Sequence, residues 1–268
     1  MMGHTIGDGR WAMRLVPIAV IALVLAFWEW SVAAGFVRAI RFPPPSLIVA
    51  SGYELLVNGF PRGTLLSAHV GATLYRILLG YGIALAMAIP LGLLIGSSWL
   101  LDRMFAPIVA FCRSVATLSL LPLAIVWFGT GEASKVFLIG YGCFWVMLSN
   151  AIAAIKQVDP VLIRAARTMD TSTRDVFAKV ILPASLPRIV AGARVALGVG
   201  FMVIVGAEMI GTTRGLGALI MEARTFYRSD ITVVGMFVIG AIGLVLSIFL
   251  SRAEAYLVPW QQHQRMAA

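Results

Sequence analysis

Arg164, Arg167 and Arg174 surround the alanine pair Ala165 and Ala166 in a polar stretch, residues 159–187, that reads DPVLIRAARTMDTSTRDVFAKVILPASLP. Side chains of these types make and break no bonds. The alanines let another backbone come close, and a rim of guanidinium groups orients a partner by charge, so the chemistry is that of docking. The plain alternative is an amphipathic loop resting on lipid headgroups. A second group lies inside an apolar run, where Arg113 is followed by Ser114, Thr117 and Ser119. At ~1.5 Å per residue Arg113 sits roughly 14 Å into that run, near the middle of a ~30 Å hydrocarbon core. An arginine there costs at least about 2.5 kcal/mol, so it requires a partner or a watered path. A cationic wall with hydroxyl groups suits an anion such as a sulfonate, a nitrate or a carboxylate. A structural ion pair or a snorkelling side chain is the plainer reading. Glu208 stands toward the outer end of a later apolar run. It is placed to pair with an arginine across a dimer, to gate a path, or to brace the loop that follows.

Bond-making chemistry finds little material. His4, His69 and His263 are far apart, and Cys112 and Cys143 lie inside apolar runs with no metal-ligand spacing around them. No converging set of His, Asp, Glu, Ser or Cys groups marks a membrane enzyme. No catalytic residue and no metal ligand is therefore expected. A phosphate-binding G-x-x-x-x-G-K-[ST] loop is also absent from the sequence.

The elements that must position these residues are membrane helices. The chain has 268 residues, 60% of them hydrophobic and 12% charged, against about 25% charged in soluble domains. Runs of roughly 20 apolar residues recur without alternation, which selects an all-α polytopic protein over a β-barrel. Six spans are expected, near Leu15–Phe36, Ile77–Gly96, Met104–Phe128, Val136–Ile155, Ile189–Ile210 and Ile231–Ser251. The first run is too long for a cleaved signal and lacks a small-residue cleavage site. The second helix has no breaker after Thr64 and is expected to start near there. With both termini inside, twelve of the 21 Lys and Arg residues fall inside and eight outside, Arg113 lying within a span; the positive-inside rule favours this orientation. The net charge of +9 then reflects inside loops and anionic headgroups rather than nucleic acid.

Local signals refine the picture. Phe42-Pro43-Pro44-Pro45-Ser46 is stiff, and Leu47, Ile48, Tyr53, Leu55 and Leu56 would form a short helix on the membrane surface. Asp159 caps a helix whose first residue is Pro160, with Val161, Leu162, Ala165, Ala166 and Met169 on one face. Ser172 and Asp175 make a capping box for a second short helix that Leu182-Pro183 is expected to stop. Gly92 and Gly96 permit close helix packing. Glu29, between Trp28 and Trp30, reads as an interfacial anchor. The 211–230 loop carries a short amphipathic stretch from Leu219 to Phe226.

The insert resembles the coupling-helix motif of permeases in binding-protein-dependent ABC importers, roughly E-A-A, three residues, G, about eleven residues, then L-P. It reads here as Arg164-Ala165-Ala166, Asp170 and Leu182-Pro183. Arg164 stands for the Glu, and Asp170 for a Gly that suits a turn of positive φ, a region Asp visits more readily than most residues. More of the chain, from about residue 42 to 260, resembles the nitrate, sulfonate, taurine and bicarbonate branch. Leu121-Pro122-Leu123 leads into Trp127-Phe128-Gly129-Thr130-Gly131-Glu132-Ala133-Ser134-Lys135, close to that branch's W-F-G-x-G-E-x-S-K. Ala207-Glu208-Met209, Gly215-Leu216-Gly217, Gly192-Ala193-Arg194 and Pro43-Pro44-Pro45-Ser46 match its other short elements. The branch is usually proline-rich just after Arg113, where this chain has Ser114, Ala116 and Thr117, so the third span is expected to be less broken. A proline is also missing near Phe144-Trp145-Val146.

The resemblance implies the type I importer fold, with the coupling helix between spans four and five in the cytoplasm. It implies a tail, first helix and external segment over 1–63, a transmembrane domain over 64–256 and a cytoplasmic tail over 257–268. It implies an inner membrane location and an assembly of two permease copies, two ATP-binding subunits and an extracytoplasmic solute-binding protein. ATP and magnesium would be bound by the partner ATPase and no cofactor by this chain. Arg164, Ala165, Ala166, Asp170, Leu182 and Pro183 would couple to that ATPase, and Arg113, Ser114, Thr117 and Glu208 would belong to the solute path. The expected solute is a small anion, a sulfonate such as taurine or else nitrate. Another small organic solute is the alternative, and a channel or secondary transporter would leave the insert without a purpose.

Overall fold

The computed structural model describes residues 9–61 and 63–257. Arg62, the first eight residues and nearly all of the expected C-terminal tail lie outside them. The described residues are helical, with no strand among them. By contact they divide into two compact units, one made of 1–67 with 219–237 and the other of 68–218 with 238–268.

In the smaller unit, α1 (Gly9–Ala33) is followed by α2 (Pro45–Val57). Pro45 opens α2, where a missing N–H costs nothing. Glu29 is more than an interfacial anchor: its carboxylate accepts from Ser46 N at 3.1 Å and from Ser46 Oγ at 2.7 Å, satisfying a free donor in the first turn of α2. Arg228 bridges Asp230 at 2.8 Å and Glu54 at 3.0 Å, while Ser51 donates to Asp230 at 2.6 Å. Its hydrogen bonds to Asp230 hold Arg228 above the ordinary arginine range, so it stays charged at any working pH.

The larger unit holds the core. Its long helices are α3 (Leu66–Ser97), α6 (Glu132–Lys156) and α9 (Leu182–Glu208). The second span does begin early, at Leu66. Small residues recur every fourth position on α3, and the α6 backbone fits against them. A Cβ on Gly80 would lie 2.9 Å from Ile139 Cβ, one on Gly92 2.5 Å from Ala151 Cβ, and one on Gly96 3.2 Å from the Ile152 oxygen. Ala84 and Ala88, 1% and 0% exposed, fill the positions between. Replacing Gly92 with Ala should therefore lower stability by about 1–3 kcal/mol through overpacking. The double variant Gly92→Ala with Ala151→Gly should recover most of that loss, read by thermal unfolding in detergent; no recovery would show that the two helices do not meet there.

Two expectations require correction. The third span is broken: α4 (Trp99–Ser114) and a 3-10 turn (Thr117–Leu120) running into α5 (Leu121–Phe128) are bent by 83°. Val115 and Ala116 are extended, and Ser114 and Ser119 donate to the backbone oxygens of Ala110 and Ala116 at 2.8 and 2.7 Å. These hydroxyls and Pro122, which opens α5, do what the branch's prolines were expected to do. Five helices are long and apolar enough to span, or six with the bent pair taken as one.

Leu182-Pro183, in turn, does not stop a helix. From Thr173 to Glu208 the chain runs on, through α8 (Thr173–Val176), a π turn (Phe177–Ile181) and α9. The π turn shifts the register so that Leu182 N bonds the Phe177 oxygen, five residues back, just ahead of the proline that has no N–H. Pro187 falls inside α9 rather than before it. The remaining helices are α7 (Pro160–Thr168), α10 (Leu216–Thr225) and α11 (Ser229–Leu257).

Candidate functional site

The insert between α6 and α9 is built as its local signals dictate. Asp159 accepts from Val161 N at 2.8 Å, and Pro160 is the first residue of α7. Ser172 Oγ accepts from Asp175 N at 3.2 Å and donates to the Asp175 carboxylate at 2.7 Å. Between the helices Asp170 takes φ 55°, the left-handed conformation for which glycine is the usual choice. No residue of α7 is buried. Val161, Leu162 and Met169 are 56%, 49% and 81% exposed, beside exposed Ala165 and half-buried Ala166. Arg164, Arg167 and Arg174 are exposed around them. The chain thus leaves an apolar helix face uncovered inside a cationic rim. Leu182 and Pro183 are half-buried behind it. Pro183 lines an open cleft of about 630 Å³ together with Leu162, Val180, Lys179 and Arg188.

Arg113 lies in the last turn of α4, at the break. It is exposed, forms no ion pair among the described residues, and its charge complements the carbonyl end of the half-helix. Ser114 beside it is exposed and hydrogen-bonded to its own helix. Thr117 turns against α6, where a Cβ on Gly142 would come 3.2 Å from its hydroxyl oxygen. Arg113, Ser114 and Thr117 therefore share the elbow of a broken span. Glu208, grouped with them from its place in the sequence, lies elsewhere.

Glu208 ends α9 and is 1% exposed. Its carboxylate accepts from Thr73 Oγ1 at 2.9 Å, from Arg76 Nη1 at 2.6 Å and from Gly217 N at 2.9 Å. The partner arginine thus belongs to the same chain. Arg76 also grips Glu132, the first residue of α6, through Nε and through Nη2 at 2.6 Å, and donates to the Arg214 oxygen at 2.8 Å. Lys135 is fully buried and donates to the backbone oxygens of Thr130 and Gly211. The Ala207-Glu208-Met209 and Gly215-Leu216-Gly217 segments explain one another here. Gly215, at φ 135°, lies so close that a Cβ would sit 2.5 Å from Glu208 Cδ, and a Cβ on Gly217 would sit 2.5 Å from the Val205 oxygen. The 209–217 loop is thus folded over the Glu208 carboxylate and braced by it.

The sequence reading passed over Arg76 and its neighbours. A signal was present: His69, Thr73 and Arg76 recur at i, i+4 and i+7, one polar face on an otherwise apolar helix. His69 Nδ1 lies 3.0 Å from the Gly215 oxygen on that face. No group of three or more metal-ligating side chains occurs among the described residues.

Comparison with known proteins gives a consistent picture. Residues 88–263 match the family described as binding-protein-dependent transport system inner membrane component. The chain is 36% identical over 258 residues to the taurine transport system permease protein TauC of Escherichia coli, covering 94% of this chain and 92% of that protein. It is 32% identical over 240 residues to SsuC of Bacillus subtilis, named for aliphatic sulfonates transport, covering 90% and 85%. It is 29% identical over 259 residues to the nitrate import permease protein NrtB of Leptolyngbya laminosa, covering 95% and 91%. Among solved structures it resembles a chain of the inward-facing MetNI methionine ABC transporter, with a TM-score of 0.59 and 21% identity over 72% of this chain and 94% of that one.

Proposed function

Because this chain belongs to the binding-protein-dependent transport system inner membrane components, in the nitrate, sulfonate and taurine branch of ABC importer permeases, we propose that it carries a small anion by alternating access. It is a multi-pass permease subunit of the inner membrane, not an enzyme. The proposed solute is a sulfonate, with taurine first and nitrate second, in line with the names of its relatives. Two copies would enclose the path, two cytoplasmic ATPase subunits would hold ATP and magnesium, and a binding protein would deliver solute at the outer face. Both termini would lie in the cytoplasm, with 1–63 as N-terminal tail, first transmembrane helix and external segment, 64–256 as the transmembrane domain and 257–268 as the C-terminal tail.

The observation that carries the coupling role is the uncovered face of α7. Its apolar residues are exposed to the extent expected of an interface, inside a rim of three arginines. Arg164, Ala165, Ala166 and Asp170 would meet the ATPase, and Leu182 and Pro183 would carry the load into α9. The two ends of the ATPase cycle must bind this surface differently, since only differential affinity shifts an equilibrium.

Arg113 supports the anion reading. It stands at the elbow of the broken span without an ion-pair partner among the described residues, with Ser114 and Thr117 beside it. Glu208 would serve the path through the loop that it braces. Arg113→Ala should lower uptake about tenfold, equivalent to ~1.4 kcal/mol, while the complex still assembles. Normal uptake kinetics in that variant would remove Arg113 from the path.

The reading as a whole is tested in proteoliposomes containing this chain, its ATPase and its binding protein. Uptake of labelled taurine should require ATP and should exceed uptake of nitrate. Transport by this chain without any ATPase would overturn the proposal in favour of a channel or secondary transporter.

A further inference from the structure

The ion cluster around Arg76 ties the ends of α6 and α9 remote from the insert to α3. Glu132 begins α6 and Glu208 ends α9, and one buried guanidinium holds both. The insert joins the opposite ends of these same two helices. Between those ends α6 and α9 pack continuously. Gly192 fits against Asn150 near the insert, Cys143 Sγ donates to the Ala196 oxygen at 3.2 Å midway, and Val203 meets Gly142 further along. A displacement applied at the insert therefore moves α6 and α9 as a pair. At their far ends α3 is linked to α9 through Thr73 and Arg76 and to α6 through Arg76, whose fourth hydrogen bond, to the Arg214 oxygen, also holds the 209–217 loop.

We propose that Arg76 is a positioning residue for transport: it makes α3, the far ends of α6 and α9 and the 209–217 loop move as one body, so that motion begun at the insert reaches that loop. The chemistry favours an arginine in this role. A planar fork with five donors can hold two carboxylates and a carbonyl in fixed directions at once, whereas an ammonium is a point charge that keeps none of those directions. The side chain is 3% exposed, so water offers no replacement for a lost partner. The inference rests on the importer reading given above.

The test uses the full complex of permease, ATPase and binding protein in proteoliposomes, with three readouts. These are recovery of assembled complex, basal ATPase activity, and the stimulation of ATPase and uptake by solute-loaded binding protein. In Arg76→Lys, stimulation and uptake should fall about fivefold or more as the fork is lost, with recovery and basal ATPase kept within about twofold. Glu132→Gln should act in the same direction by about twofold; its side chain is 58% exposed, so that variant does not threaten the fold. Stimulation and uptake unchanged in Arg76→Lys would overturn the inference. So would a fall matched by an equal loss of assembled complex, which marks a purely structural residue. A parent complex with no ATP-dependent uptake would overturn the importer reading and this inference together. A variant defect against an active parent bears on Arg76 alone.

Discussion

Ala165→Arg is expected to abolish coupling while leaving the protein in the membrane. The Ala165 side chain is exposed on α7, a helix in which no residue is buried. The variant should therefore insert and fold normally. In the proposed complex the same position would allow the ATPase backbone to approach. A longer side chain would hold the two surfaces apart and would place a fourth positive charge among Arg164, Arg167 and Arg174. Leaving a buried charge unpaired costs about 3–5 kcal/mol, far more than the ~1.4 kcal/mol of a tenfold change in affinity. Co-purification of the ATPase should fall by more than tenfold, with Ala165→Gly close to the parent. Parental ATPase stimulation in Ala165→Arg would refute the docking role.

The second large effect belongs to Glu208→Ala. The substitution strips Arg76, Thr73 and Gly217 of a shared acceptor inside the fold. Removing one member of a buried charge network costs about 3–5 kcal/mol, because the remaining charge stays buried. The loop over Glu208 should loosen at the same time, since Gly215 is shaped to lie on that carboxylate. Glu208→Gln keeps an acceptor and the shape, and should lose markedly less. Thermal unfolding in detergent and proteolysis of the 209–217 loop give the two readouts. A Glu208→Ala protein as stable as the parent, with the loop still protected, would show that the network is not a brace.

These two sites differ in how legible they were. The polar insert is written in neighbouring residues. Asp159 before Pro160, and Ser172 three residues before Asp175, specify helix starts that the coordinates reproduce at hydrogen-bond distance. Asp170 replaces the family's glycine and still takes the positive φ that the turn demands. The short helix after Pro45 and the early start of the second span follow from the same kind of signal.

The errors have the opposite character. The missing prolines after Arg113 suggested a less broken span, yet hydroxyls that bond backward and Pro122, nine residues beyond, bend it by 83°. Leu182-Pro183 suggested a stop, yet a π turn carries the helix through. In both cases the residues nearest the site allowed two outcomes.

By itself, then, the order of residues determined which segments are long and apolar enough to cross a membrane and where the short helices of the polar insert begin. Periodicity, caps and hydropathy act within a few residues of themselves, so they can be read in a line. Only the folded chain decided that Glu132 and Glu208 meet Arg76, up to 132 positions away, around one buried guanidinium. An isolated charge in an apolar run states that it needs a partner, but its cost is the same whichever partner it finds, and three helices had to pack before one was chosen.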